Sequence, residues 1–373
     1  MGFIIIAILF AATYLFLQLF YLLHWLKTKS IVVPDSFIPS TTFSVVVIAN
    51  NEENTIEECI QRILHQHYPI ELFEVIVIDD RSTDGTVEKI KALPSPNLQF
   101  YHLHDFPELI HAPAFKKSAI ELAVSRAKYD WIITTDADCN VYPDWLLTIA
   151  YAQSVTGSVF LAAPIRYASY NSLLEKMQGI EMMTFMMITA AGIRSRLHDM
   201  ANGANMAFSK QAFIDVDGYN GNYNYASGDD MFLIEKMRAK FPDKISFVKS
   251  QSAVVETEAH QDWSSLLKQR VRWAGKNKGL KNPVINMIWL FIGFYHVMIF
   301  AMFGLALLHY ISWLPFTILL SFKWIADAVM IYHASSFFKR SWLRDFVPLQ
   351  VLYSVYILRL GWNLMLGKKG DWT

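Results

Sequence analysis

The apolar positions of this chain fall into two textures. Towards both ends they form long uninterrupted runs; in the middle they come in short bursts between amphipathic stretches. Gly2 to Leu26 carries no formal charge when His24 is neutral, and about 20 apolar residues in a helix span a bilayer core. The run is too long for a signal-peptide core, and no small-residue cleavage pattern follows it. It predicts an uncleaved anchor over residues 1–26. Lys27 and Lys29 come next, which places that end in the cytoplasm and the N-terminus outside.

Val284 to Tyr310, preceded by Lys276, Lys278 and Lys281, and Ile311 to Tyr332 predict further spans. The second holds Lys323 and Asp327, which pair on one helix face at a spacing of four and must point at protein or water. Phe346 to Leu366 is a third late candidate, interrupted by Pro348, Gln350 and Arg359 and preceded by Lys339, Arg340 and Arg344. Residues 284–366 thus predict two to three transmembrane or interfacial helices. Four spans in all put the C-terminus outside, against the cytoplasmic preference of Lys368 and Lys369. Either one late segment lies along the interface or the charge rule fails here.

Between Phe43 and about Ala274, apolar β-branched runs alternate with helical patterns, which predicts an α/β domain with a mostly parallel sheet. Phe43–Ile48, Phe73–Ile78, Leu98–His102 and Trp131–Thr135 read as strands. Thr55 to His67 reads as a helix opened by a Thr55–Glu58 capping box. Lys116 to Ala127, the segment after Gly228 and the segment after Asp262 read as further helices. The Met-rich stretch from Tyr170 to Ile193 reads as core or, beside a membrane, as an interfacial helix.

Composition supports this division. Hydrophobic residues make up 53% and charged residues 18% of the 373, where a soluble domain carries about 25% charged. Thirty-three basic and 33 acidic residues cancel, so nothing in the charge points to nucleic acid. Two cysteines, Cys59 and Cys139, exclude a disulfide framework. His65-x-His67, His102-x-His104 and His111 show no carboxylate partner pattern and are not read as a zinc site.

The chemistry gathers after the strands. Parallel strands present ligand sites at their carboxyl ends. Asn50, Asn51, Glu52 and Glu53 follow the first, Asp79 and Asp80 the second, and Asp136-Ala-Asp138 a later one. Hard carboxylate oxygens of this kind suit Mg²⁺ or Mn²⁺ that also holds a phosphate. Asp79 or Asp80 would accept from a base or a ribose, or cap the next helix. Asp229 and Asp230 open a helix, where they would cap it or act as a general base. Asn202-Gly-Ala-Asn205 allows close backbone approach. Gln269 and Trp273 share a helix face with Arg272 near it; arginine suits a diphosphate, and the tryptophan offers a sugar a flat platform or belongs to an interfacial belt.

Together, VVVIANNEENTIEECIQRIL, VIVIDDRSTDGT, TTDADC, GDD and QRVRW, in this order, resemble a membrane-bound family 2 glycosyltransferase with the GT-A fold. The match covers Phe43 to Trp273, within a cytosolic domain of 43–280. The resemblance implies that Ala49, Asn51 and Glu52 border a nucleotide-sugar. It implies that Asp80 with Asp79 binds the base or ribose, that Lys116 or Lys117 lies near the nucleotide, and that Asp136 and Asp138 hold the metal and diphosphate. Gln269, Arg270 and Arg272 would bind the diphosphate, Trp273 would floor the acceptor site, and Asp230, with Asp229 beside it, would be the catalytic base. It implies inverting transfer, from a UDP-sugar or another nucleotide's, to a lipid or lipid-linked acceptor at a bacterial plasma membrane. Accessory subunits stay open. Gly-Asp-Asp replaces the commoner Thr-Glu-Asp, the Asn202–Asn205 segment departs from the cellulose-synthase-like pattern, and the spans are few. A processive polysaccharide synthase is therefore the second reading. A non-catalytic scaffold should have lost an acid, and none is missing; a transporter would leave the middle domain unexplained.

Overall fold

The computed structural model describes residues 1–276, 279–341 and 343–366, and nothing is stated of the side chains of 276 and 343. Lys278, Lys368 and Lys369 therefore lie outside the described residues. Ten strands follow one another as β1 (Phe43–Ala49), β2 (Phe73–Asp79), β3 (Leu98–His102), β4 (Trp131–Asp136), β5 (Asn140–Val141), β6 (Phe160–Ala162), β7 (Ile165–Tyr167), β8 (Met206–Ser209), β9 (Ile245–Phe247) and β10 (Val255–Thr257). The helices are α1 (Gly2–Lys27), α2 (Ile56–Leu64), α3 (Thr86–Lys91), α4 (Phe115–Arg126), α5 (Trp145–Thr156), α6 (Leu173–Ser195), α7 (Lys210–Asp215), α8 (Asp229–Lys240), α9 (Trp263–Lys276), α10 (Val284–Leu307), α11 (Leu314–Phe338) and α12 (Phe346–Met365).

Seven strands form the main sheet in the order β3-β2-β1-β4-β8-β6-β9. The strands from β3 to β4 run parallel, β8 lies antiparallel between β4 and β6, and β9 is parallel to β6. This is the mostly parallel GT-A-like α/β arrangement. Both faces of β1 and β2 are covered, which is why these strands read as continuous apolar runs rather than alternating ones. Register fixes the edge where the strands end: Ala49 sits opposite Asp79, and Ile48 opposite Asp136. A small second sheet, β5-β10-β7, continues from that edge.

Among the described residues, three helices are long and apolar enough to cross a membrane: α1, α10 and α11. The last residues of α1, the approach to α10 and the end of α11 all touch the α/β unit. Lys249 Nζ donates to the carbonyls of Trp25 and Thr28 at 2.8 and 3.1 Å. Asn282 Nδ2 donates to Leu197 O at 3.1 Å, and Arg166 Nη1 to Phe338 O at 3.0 Å. The interrupted stretch from Phe346 forms α12, whose Leu349, Tyr356 and Ile357 pack with Leu174, Met177, Leu266 and Leu267 of α6 and α9.

The Met-rich stretch is α6, a 23-residue helix. It packs against α1 and α11 on one side and against β7 and β9 on the other. Its start is a Ser172–Glu175 capping box. The box expected at Thr55 does not form: the Thr55 hydroxyl donates to the Glu52 carboxylate at 2.8 Å, and Glu58 pairs with Arg62. The Thr55 oxygen accepts from no N–H of the first turn, so the helix start has no side-chain cap. Lys323 and Asp327 pair at 2.6 Å and face protein; Lys323 also donates to Gln350 of α12, and Tyr14 of α1 donates to Asp327.

Candidate functional site

The loops after β1 and β2 are laced together. Asp80 N donates to Ala49 O at 2.8 Å, and the Asn50 amide to Asp80 O. Asn51, at φ 57°, accepts from Thr83 N at 2.8 Å and donates its own N–H to Ser82 Oγ at 3.0 Å. Gly85 N donates to Glu53 at 2.9 Å. This builds a rigid rim of short polar groups around the strand ends. Neither Asp79 nor Asp80 caps α3, whose N-cap is Gly85. Asp79 is buried, accepts from Ser82 N at 3.2 Å and lies 3.1 Å from His102 Nδ1. Asp80 pairs with Arg81, whose guanidinium lies 3.6 Å over the Phe115 ring. Arg81 and Phe115 are thus part of this wall, and no motif or spacing points to either.

His102 is a residue that sequence reasoning missed in its true role. Its carboxylate partner comes from the neighbouring strand, through the register Asp79 opposite His102. The ligand atoms of Asp79, His102 and His104 lie within 4.8 Å of one another.

Across β1, the second acidic group assembles. Lys116 Nζ donates to Asp136 Oδ1 at 2.6 Å and lies 3.8 Å from Asp229 Oδ2. Burial draws the Lys116 ammonium down, but Asp136 and Asp229 outweigh it and hold the group above the usual lysine range. Burial pushes the Asp138 carboxyl up, and neighbouring Asp136 adds to the shift, while Thr257 Oγ1 donates to it at 2.9 Å. Burial likewise pushes Glu52 up to about 7, with Asp138 and Asp136 adding to the shift and Thr55 opposing it. Asp136, Asp138 and Cys139 place their ligand atoms within 4.8 Å. Two hard carboxylates facing each other under burial fit a divalent cation, which would relieve their repulsion.

Asp229 and Asp230 form the first turn of α8 behind Gly228 at φ 90°. The caps of this helix are thus glycine and not the acids. Both acids are buried. Gly203 lies so near that an added Cβ would come 2.7 Å from Asp229 Oδ2 and 3.2 Å from Lys116 Nζ. The small residue is needed here for the approach of Lys116 to two loops. Asn205 serves the frame: it is fully buried, accepts from Trp145 Nε1 and donates to Pro164 O and Ala253 O.

Two expected residues point elsewhere. Lys117 is fully buried and donates to the carbonyls of Tyr225 and Ser227, so it fastens the loop before α8 instead of facing a nucleotide. Arg270 pairs with Glu181 of α6 at 2.7 Å, with side chains 4% and 2% exposed, and lies 4.2 Å over the Trp273 ring. Gln269 accepts from Arg270. Arg272 turns the other way; burial lowers its basicity, and Asp136, Asp229 and Asp230 raise it. Residues two apart on a helix do not share a face, so one motif serves two neighbours. The structure thus gathers Ala49, Asn51, Glu52, Asp79, Asp80, Lys116, Asp136, Asp138, Asp229, Asp230 and Arg272 around one edge.

Known proteins share these features. The profile of Glycosyl transferase family 2 matches residues 44–216, and that of Glycosyl transferase family group 2 matches 131–349, more than half of the chain. The beta-monoglucosyldiacylglycerol synthase of Synechocystis is 27% identical over 243 residues, 64% of this chain and 48% of the relative. The poly-beta-1,6-N-acetyl-D-glucosamine synthase of Staphylococcus aureus is 29% identical over 179 residues, 45% of this chain and 39% of the relative. The matches span about half or less of these relatives. A solved mannosyltransferase from Pyrobaculum calidifontis, in complex with GDP-Man and Mn²⁺, superposes with a TM-score of 0.61 at 18% identity, covering 98% of this chain and all of the other. That likeness is one of fold.

Proposed function

The chain belongs to glycosyl transferase family group 2, and from that premise we propose that it moves a sugar from a UDP-linked donor to a hydroxyl of a lipid or lipid-linked acceptor. The reaction would take place at the cytoplasmic face of a bacterial plasma membrane. The single observation that carries the reading is the convergence of Asp136, Asp138, Lys116, Asp229 and Asp230 at one strand edge, beside a helix that packs on the membrane-side elements.

Asp79 and Asp80, on the rim held by Asn51 and the Ala49 carbonyl, would receive the base and ribose. Arg272 and Lys116 would meet the diphosphate. Mg²⁺ or Mn²⁺ held by Asp136 and Asp138 would supply charge neutralisation for the leaving diphosphate. The acceptor oxygen would attack the anomeric carbon from the face opposite the leaving group. The new carbon–oxygen bond forms as the bond to the diphosphate breaks, and Asp230 takes the hydroxyl proton. One displacement inverts the anomeric centre. Trp273, fixed under Arg270, would floor the acceptor.

The glycolipid-synthase relative and the three apolar helices favour a lipid acceptor and single addition. The poly-N-acetylglucosamine relative supports processive synthesis as the second reading. The test is nucleotide release from a panel of UDP- and GDP-sugars by detergent-purified protein, with and without Mn²⁺ or Mg²⁺, using lipid extract as acceptor. Metal-dependent UDP release with a product one sugar heavier than the lipid supports the proposal. GDP release overturns the donor; a polymer overturns single addition.

A further inference from the structure

A second polar site lies away from the donor edge, where α11 leaves its apolar stretch. The helix ends at Phe338, and Lys339 adopts the left-handed conformation at φ 54°. This turns Arg340 back over the α/β unit, where Nη2 donates to Ala168 O at 3.3 Å and the guanidinium lies 4.9 Å over the Tyr170 ring. Between the turn and the small sheet is a cleft of about 430 Å³, lined among others by Tyr142, Asp144, Arg166, Ser252, Lys339 and Arg340.

The charges in this cleft are not evenly matched. Arg166 is held by Glu256 at 2.7 Å and donates to the Tyr142 hydroxyl. The same Glu256 lies 3.9 Å from Arg340, and Asp144 is taken by His67 at 2.9 Å. Arg340 Nε is buried without a hydrogen-bond partner. Lys339 is exposed and makes no ion pair with any described residue. Arg166, Arg340 and Lys339 thus outnumber the carboxylates of Glu256 and Asp144, a balance that suits an anion.

Position says which anion. On α11, Ile325, Val329 and Tyr332 are 62%, 41% and 60% exposed, and Ser336 and Lys339 continue the exposed series. The spacing of four, three, four and three keeps them on one helix face. An apolar stripe on a candidate span thus runs down to a lysine at the mouth of the cleft. We propose that this cleft binds the phosphodiester headgroup of an anionic phospholipid, whose acyl chains lie along the Ile325–Val329–Tyr332 stripe. Lys339 and Arg340 Nε would donate to the phosphate oxygens. The site has a route to the donor edge: Glu256 faces Arg166 and Arg340, and the next residue, Thr257, donates to Asp138. The inference does not depend on the donor or the acceptor.

Native mass spectrometry of the full chain in detergent tests it, with phosphatidylglycerol and phosphatidylcholine of equal chain length. Wild type should retain phosphatidylglycerol about tenfold or more over phosphatidylcholine. A cation near an anionic surface contributes about fivefold, so Lys339→Glu should lower that preference at least fivefold, and Lys339→Glu with Arg340→Gln should abolish it. Lys27→Glu, the same charge change outside the cleft, should leave the preference unchanged. Lys339 is exposed, so its single variant carries the test even where Arg340→Gln loosens the turn over Tyr170. Equal retention of the two lipids by wild type overturns the proposal, as does an equal loss in Lys27→Glu and Lys339→Glu. Millimolar inorganic phosphate should not strip the bound lipid; displacement by it would make the cleft a soluble-phosphate site and overturn the headgroup assignment.

Discussion

The strand edge and the helix bundle both bury charge, in opposite states of balance. In the bundle, Lys323 meets Asp327 and Gln350, and Tyr14 completes the set. That is a closed group, as a low-dielectric setting requires. At the strand edge, Glu52, Asp79, Asp80, Asp136, Asp138, Asp229 and Asp230 face Lys116, Arg81 and Arg272. Acids exceed fixed cations; burial raises the Asp138 and Glu52 carboxyls, and the neighbouring acids add to the shift. Balanced buried charge holds a fold together. Unbalanced buried charge marks where a guest of opposite charge is received.

The largest effect should come from removing one of those acids at the centre. Asp138→Asn should cut metal-dependent transfer about a thousandfold and weaken donor binding, since several kcal/mol of charge stabilisation go with the ligand. Isothermal titration with UDP and Mn²⁺, alongside turnover, checks both. Asp230→Asn should lower turnover about a hundred- to a thousandfold while UDP binding survives; full turnover would remove the base role. Arg270→Met leaves Glu181 buried without its charge partner, which should cost about 3–5 kcal/mol of stability. Pairing it with Glu181→Leu should restore most of the thermal midpoint, whereas a diphosphate ligand would show its loss in donor KM instead. Lys323→Met should lower the midpoint by about 1–2 kcal/mol equivalent and leave turnover per folded molecule unchanged.

The smallest effect is a pH dependence. Glu52 titrates near 7 in the folded chain against 4.5 for the free group. The folded state therefore holds a proton that the unfolded state releases between those values, and stability falls as pH rises through that window. Glu52→Gln should leave the melting temperature unchanged at pH 4 and raise it at pH 8. A parallel shift at both values would remove Glu52 as the titrating group.

Much of the parallel sheet was legible because its strands are covered on both faces and spell uninterrupted β-branched runs. The candidate site was legible in outline, since Asp79, Asp136 and their neighbours stand directly after those runs. What stayed hidden depends on contacts distant in sequence. The Asp79–His102 contact follows from the pairing of β2 with β3. The division of labour between Arg270 and Arg272 follows from which element each side of α9 meets. Lys116 and Lys117 are adjacent, yet one faces two carboxylates and the other two carbonyls. The capping box that fails at Thr55 and the one that forms at Ser172 show the same limit: the spacing is local, but whether the Glu side chain turns back to the cap is not, and Glu58 pairs with Arg62 instead.

The Met-rich helix also bears on the order in which the protein is made. Met182, Met183, Met186 and Met187 of α6 are buried, and the helix packs against α1, synthesised earlier, and α11, synthesised later. A ribosome thus releases α6 well before its last partner exists, and the nascent α/β unit must keep an apolar flank shielded meanwhile. The packing of α6 is then completed only once α11 has arrived. The same unit expressed without its spans should emerge as aggregate rather than as a soluble enzyme.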